Sequence, residues 1–196
     1  MHVQGLFPTP LAYLQLDLDA QLLVDHSNRL QLLEPQGHRA GGWQSSFLDL
    51  ECAPVCDLVQ RIQLCADDLA QNLWQLDSST AVRVVQGWCN VNTESAELAN
   101  NWSHMHGGAF MSFVYYASVP QHSGDLVIEP PHDWNEYCIP EHTIAQLNPW
   151  NAQRHHYTPH EGMLIGFPSW LKHRAQPNQS GEPRISYAFD ARIEPR

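Results

Sequence analysis

Lysine is nearly missing from this chain. Lys172 is the only one, and 10 basic residues stand against 21 acidic ones, for a formal net charge of −11. So few cations cannot neutralise a run of phosphates, which argues against a nonspecific nucleic-acid binder and favours a small substrate or a basic partner. Charge of either sign is also scarce, at 16% of residues against the usual quarter. With 43% hydrophobic and 10% aromatic residues, that scarcity reflects a packed core rather than a disordered chain. The cysteines are five, Cys52, Cys56, Cys65, Cys89 and Cys138, an odd number with no CxxC spacing. Neither a disulfide framework nor a zinc finger is supported, and the thiols read as small apolar side chains in a reducing compartment.

Long apolar runs are missing too. Nothing is long enough to span a bilayer, and the first residues have neither a basic n-region nor an apolar h-region, so the expectation is a soluble cytoplasmic protein with no membrane partner. No repeat, low-complexity tract or linker divides the 196 residues, a length that can bury roughly 70% of its unfolded surface. The chain is therefore read as one domain over 1–196, with an N-terminal strand and bracing helices over 1–80 and a jelly-roll core over 81–196. Oligomeric state stays open, a homodimer included.

Taken in order, 6–16 reads as a strand that Pro8 and Pro10 confine to an edge. A helix over 19–33 carries Leu22, Leu23, Leu30 and Leu33 and ends before Pro35, and 36–46, with Gly37, Gly41 and Gly42, is a loop. A second helix over 53–74 repeats Val55, Leu58, Val59, Ile62, Cys65, Leu69 and Leu73 at three- and four-residue steps, with Pro54 in its first turn, and braces a sheet. From 82 onward the chain turns β-branched. Strands are expected over 82–91, 110–119, 125–129, 143–147, 162–167 and 184–193. Helices followed by several short strands suggest a mainly β jelly roll buttressed by N-terminal helices.

Asn101-Trp102-Ser103-His104-Met105-His106 carries the first chemistry. In an extended chain His104 and His106 face the same side and can reach one ion, with Met105 opposite. A second half-site follows the apolar strand at 162–167, which delivers His173, and the next strand opens on Arg184. A histidine pair before one strand, a distal histidine after another and an arginine on the strand beyond can gather metal ligands and a carboxylate clamp in the mouth of a jelly roll.

These blocks resemble the 2-oxoglutarate- and Fe(II)-dependent oxygenases, most closely a family of small bacterial and phage members. The matching segments are Trp88-Cys89-Asn90, His104-Met105-His106, Ser112-Phe113-Val114-Tyr115-Tyr116, Phe167-Pro168-Ser169-Trp170-Leu171-Lys172-His173 and Arg184-Ile185-Ser186. The resemblance implies a double-stranded β-helix, cupin-like, holding Fe(II) and 2-oxoglutarate and using O2, with His104 as first metal ligand and His173 as last. It implies Arg184 as the fork for the far carboxylate of 2-oxoglutarate, with Ser186, Tyr116, Asn90 and Tyr115 as further polar contacts. The middle ligand of the wider superfamily is Asp or Glu, whereas this chain has His106. Three readings stay open: His106 binds the metal, it lies behind a water that does, or Asp125 or Glu129 takes its place.

The implied activity is hydroxylation of a small-molecule or peptide substrate, coupled to decarboxylation of 2-oxoglutarate. The alternatives are a cupin-like all-histidine metalloenzyme without 2-oxoglutarate and a non-catalytic jelly-roll binding module. Trp134, Trp150 and Trp170 could wall a substrate pocket, and His132, His142, His155, His156 and His160 read as solvated loop residues.

Overall fold

Each of the three central strands presents a different chemistry on its two faces. In β9 (Arg184–Pro195), Ile185, Tyr187, Phe189 and Ala191 point to one side and Arg184, Ser186, Ala188 and Asp190 to the other, as the two-residue period requires. β4 (Met111–Ser118) repeats this, with Met111, Phe113 and Tyr115 on the apolar side. β3 (Thr80–Asn92) changes phase at a bulge between Val84 and Gln86. Val82 therefore joins the apolar side before the bulge and Cys89 and Val91 join it after, leaving Gln86, Trp88 and Asn90 on the polar side. The structure, a computed structural model, describes residues 1–37, 42–93, 102–132 and 138–196.

Two helices cover the apolar side. α1 (Ala20–Leu33) starts where the Asp19 carboxylate accepts the Gln21 N–H at 3.0 Å, and it buries Leu23. α2 (Val55–Asp68) follows Pro54, buries Val55, Leu58, Ile62 and Ala66 at helical spacing, and runs into one π-helical turn at Leu69–Leu73. Each fully buried Val, Leu or Ile here contributes about 1.5–3 kcal/mol.

The larger sheet is antiparallel and ordered β1-β7-β4-β9-β3-β2, adding β1 (Ala12–Gln15), β7 (Met163–Pro168) and β2 (Gly42–Gln44). β1 occupies an edge, as its upstream prolines require, and is shorter than the 6–16 expected because Pro8 and Pro10 offer no ladder donor. A smaller sheet, ordered β6-β5-β8, comprises β6 (His155–Tyr157), β5 (Leu126–Ile128) and β8 (His173–Ala175). Its Leu126 and Ile128 pack with Tyr116, Ile165 and Phe167 from the larger sheet. Two facing antiparallel sheets with helices outside the larger one make a double-stranded β-helix, the fold that the strand pattern led us to expect.

Three local expectations are corrected. No strand forms over 143–147: Glu141–Thr143 is a 3-10 turn in which Thr143 donates both N–H and O–H to the Pro140 carbonyl, so the chain closes on itself instead of pairing. The loop expected over 36–46 contains β2, whose Trp43 lies opposite Val91, and its residues 38–41 fall outside the described ones. His155 and His156 belong to β6 rather than to a loop. No helix among the described residues is long and apolar enough to cross a membrane.

Candidate active site

Register places the polar residues of the inner face in rows. β3, β9 and β4 align Gln86 with Asp190 and Ser112, then Trp88 with Ala188 and Val114, then Asn90 with Ser186 and Tyr116, and Asn92 lies opposite Arg184. Asn90, Asn92, Ser112, Arg184, Ser186 and Asp190 are all buried. Burying so many polar groups on a face that could have been apolar costs stability unless each is hydrogen-bonded, so this face is built for chemistry rather than packing.

The histidines converge at one end of it. His104 bridges to His173 through a pair of 3.0 Å backbone hydrogen bonds, and the His106 N–H donates to the Ser169 carbonyl at 2.8 Å. Ring centroids of the three lie 4.5, 5.1 and 5.3 Å apart, and their ligand atoms fall within 4.8 Å of one another. Each Nδ1 already has a partner: the Trp102 carbonyl for His104 and the Leu171 carbonyl for His173, both at 2.9 Å, and Asp190 Oδ1 for His106 at 2.6 Å. Carbonyl and carboxylate oxygens only accept, so Nδ1 of each ring donates and Nε2 is the nitrogen left to face a metal, the arrangement that ligation needs.

This donor set fits a divalent first-row metal. It is the only group of three or more potential ligands among the described residues, and it includes His106 but no carboxylate. Neither residue considered for the middle position joins this group: Asp125 faces His156 at 3.5 Å, and Glu129 lines a separate groove with Leu6, Phe7 and Trp150.

Burial pushes His173 down to about 3, against the pull of its Leu171 hydrogen bond, with His104 and His106 nearby adding to the shift. The ring is thus neutral and ligand-ready across the physiological range. Because the folded value lies below the unfolded one, the neutral ring's contribution is fully present above about 6.5 and is lost as pH falls toward 3. Denaturant titrations of metal-free protein should lose up to a few kcal/mol across that window. In a His173→Gln variant the slope should flatten.

Asp190 was not foreseen. Its Oδ1 accepts from His106 and from Ser112 Oγ at 2.9 Å, and Oδ2 accepts from Gln86 Nε2 at 2.8 Å. Burial alone would raise its carboxyl, but the hydrogen bonds from His106, Gln86 and Ser112 outweigh it and hold the group below the usual range. The available signal was parity: Asp190 shares its strand face with Arg184 and Ser186.

Arg184 anchors the other end. Its Nη1 donates to the Ser123 and Gly124 carbonyls at 2.7 and 2.9 Å and Nη2 reaches Asn92 Oδ1 at 3.3 Å, while Nε is buried without a partner. Among the described residues this guanidinium forms no ion pair within 4 Å, a costly state for a buried cation unless an anion joins it. Tyr116 lies beside it, and burial lifts that phenol to about 12 despite the nearby guanidinium, so it remains an O–H donor. Ser186 sits between Asn90 and Tyr116 in register.

Tyr115 is corrected: it faces the helices, and its buried hydroxyl has no partner there. Gly124 holds φ at +88°, and a Cβ would meet the Pro177 and Gln176 carbonyls at 2.7 and 2.8 Å. Gly124→Ala should destabilise by about 1–3 kcal/mol in denaturant melts and shift one carbonyl that orients Arg184.

An open groove of about 520 Å³ borders His104, His106 and Asp190, with Phe47, Trp88, Trp102, Gln44 and Gln86 around it. Trp88 packs 5.4 Å from His106 and 6.4 Å from Phe47. Of the three tryptophans expected to wall a pocket, Trp150 lines a separate groove with Leu6, Phe7 and Tyr157, Trp170 is exposed and does not border the histidines' groove, and Trp134 lies outside the described residues.

Comparison with known proteins adds a family to this geometry. Curated protein sequences returned no match. A prolyl-4-hydroxylase from Pseudomonas putida superposes with a TM-score of 0.57 at 17% identity, covering 94% of this chain and 92% of that one. HygX from Streptomyces hygroscopicus, solved with nickel and 2-oxoglutarate, gives 0.57 at 12% identity over 95% and 83% of the two chains. The alpha-ketoglutarate-dependent carbocyclase SnoK of nogalamycin biosynthesis gives 0.65 at 12% identity over 93% and 79%. At such identities these likenesses establish the fold. The sequence family described as "Putative 2OG-Fe(II) oxygenase" matches residues 86–190, over half of the chain, which spans the polar rows, all three histidines and Arg184. The chain therefore belongs to the 2-oxoglutarate- and Fe(II)-dependent oxygenases, whose cofactors are iron, 2-oxoglutarate and O2.

Proposed function

We propose that this oxidoreductase is a hydroxylase in which His104, His106 and His173 hold Fe(II) through Nε2 and Arg184 holds the far carboxylate of 2-oxoglutarate. When bound, iron and 2-oxoglutarate activate O2, so that 2-oxoglutarate becomes succinate and CO2 while a substrate C–H becomes C–OH. One observation supports this assignment above the rest: three imidazoles gathered at one end of a buried polar face, and at its other end a buried guanidinium with no carboxylate within 4 Å among the described residues.

The chain's own residues position and exclude. The three Nδ1 hydrogen bonds fix the rings and leave each Nε2 to hold the metal, the ligand atoms lying within 4.8 Å of one another. Arg184 Nε, the Ser186 hydroxyl and the Tyr116 phenol supply donors for the cosubstrate carboxylate, with Asn90 alongside in the same row. Ile165, Phe167 and Leu171 close the inner core beside them and keep water from the reacting end. The substrate, a small molecule or a peptide, enters from the groove walled by Phe47, Trp88 and Trp102, where Gln44 and Gln86 offer amides to fix its orientation. The likeness named prolyl-4-hydroxylase supports hydroxylation, and the likeness named carbocyclase makes ring closure the rival reaction.

The test is succinate formation by Fe(II)-loaded protein given 2-oxoglutarate and O2, followed by a substrate screen under isotopically labelled O2. One labelled oxygen in the product and one succinate per turnover are expected. Iron binding with no succinate under any condition would reject the reading.

A further inference from the structure

A set of three imidazoles brings no negative charge to a metal, and here the charge lies immediately behind one of them. Asp190 Oδ1 stands 2.6 Å from His106 Nδ1, and the carboxylate's other neighbours, Ser112 Oγ and Gln86 Nε2, both donate to it. Asp190 is 3% exposed, and His106 is its only ion-pair partner among the described residues. A buried carboxylate surrounded by donors and lacking a Lys or Arg partner is placed to balance a positive charge across the imidazole. Register fixes it there, because Gln86, Asp190 and Ser112 form one cross-strand row and Ser169 Oγ, 2.9 Å from Ser112 Oγ, ties that row to the segment leading to His173.

We infer that Asp190 is a positioning residue that makes His106 a metal ligand, locking its Nδ1–H tautomer and supplying through the ring the negative charge that a directly bound carboxylate would bring. This rests on the proposed reading of His106 as a ligand, so the experiment separates the two.

Metal-free protein is titrated with Co(II), following affinity and d–d absorption, for wild type, His106→Ala, Asp190→Asn and the double variant. D190N keeps the shape and one acceptor oxygen, so it tests charge in a folded protein. Co(II) affinity should fall about 10–100-fold in D190N. The double variant should bind no more weakly than H106A, because Asp190 acts through that ring. A second pair isolates the ring: beside His106→Asp, which brings a carboxylate to the metal position and removes the imidazole that Asp190 contacts, adding D190N should change Co(II) affinity far less than it does in wild type.

Wild-type affinity in D190N, losses that add in the double variant, or a loss in the H106D pair as large as in wild type would each overturn the inference while leaving the metal site intact. H106A binding Co(II) like wild type would remove His106 from the ligands and the inference with it. Wild type that does not bind Co(II) would sink the metal-site reading first.

Discussion

His173→Ala will leave a folded protein that holds a divalent metal far more weakly than wild type. A four-ligand structural zinc site is worth about 10–16 kcal/mol, or about 2.5–4 kcal/mol per ligand, so losing one imidazole should weaken binding about 60- to 700-fold. His173 should sit at the upper end, because it is the most buried of the three and its ring is fixed both by the Leu171 carbonyl and by Phe167, whose ring centroid is 4.6 Å away. His104 and His106 alone retain a two-nitrogen site that common chelators should strip. Anaerobic Fe(II) titration reads the affinity, and succinate formation should fall to background. Metal affinity unchanged from wild type would remove His173 from the ligand set. Circular dichroism guards against a trivial loss, since truncating a ring packed on Phe167 also costs some core contact.

The reach of the sequence depended on segment length and on how local each partner was. β3, β4, β7 and β9 were legible because six or more residues rich in β-branched, aromatic and other apolar side chains identify a strand, and α2 because its apolar positions recur at helical steps. β2, β6 and β8 have three residues each, too few for any period, and exist because β3 and β5 offer them a partner. The stretch at 143–147 failed in the opposite sense, having strand-like residues that pair with no strand among the described residues.

The site divides the same way. His104, His106, His173 and Arg184 could be placed by their order along the strands. Asp190, following Phe189 in a strand that ends in charged residues, looks like solvated surface until register sets it against Gln86 and Ser112, 104 and 78 positions away. The bulge between Val84 and Gln86 hid the groove wall as well, because it decides which side Trp88 faces, and the sequence shows no sign of it.

Arg184→Met will separate cosubstrate binding from metal binding. Methionine keeps most of the side-chain length and removes the charge, so Fe(II) affinity should match wild type while 2-oxoglutarate affinity falls. Truncating one partner of a buried hydrogen-bonded charge pair costs about 2–5 kcal/mol, which at 1.4 kcal/mol per tenfold is about 30- to several-thousand-fold. Arg184 also donates to the Ser123 and Gly124 carbonyls, and leaving those acceptors unserved costs about 1–3 kcal/mol of stability each, so the variant should melt earlier. Arg184→Lys addresses that cost. It keeps the charge and can serve a carbonyl, but it loses the planar fork and should bind 2-oxoglutarate between the other two. The readout is the metal-to-ligand charge-transfer absorption that appears when 2-oxoglutarate is added to anaerobic Fe(II)-protein. A graded series from wild type through lysine to methionine at constant iron affinity would assign the clamp. Unchanged 2-oxoglutarate affinity in both variants would leave Arg184 as a strut for the Ser123–Gly124 turn and move the search for the cosubstrate's counter-charge elsewhere on the inner face.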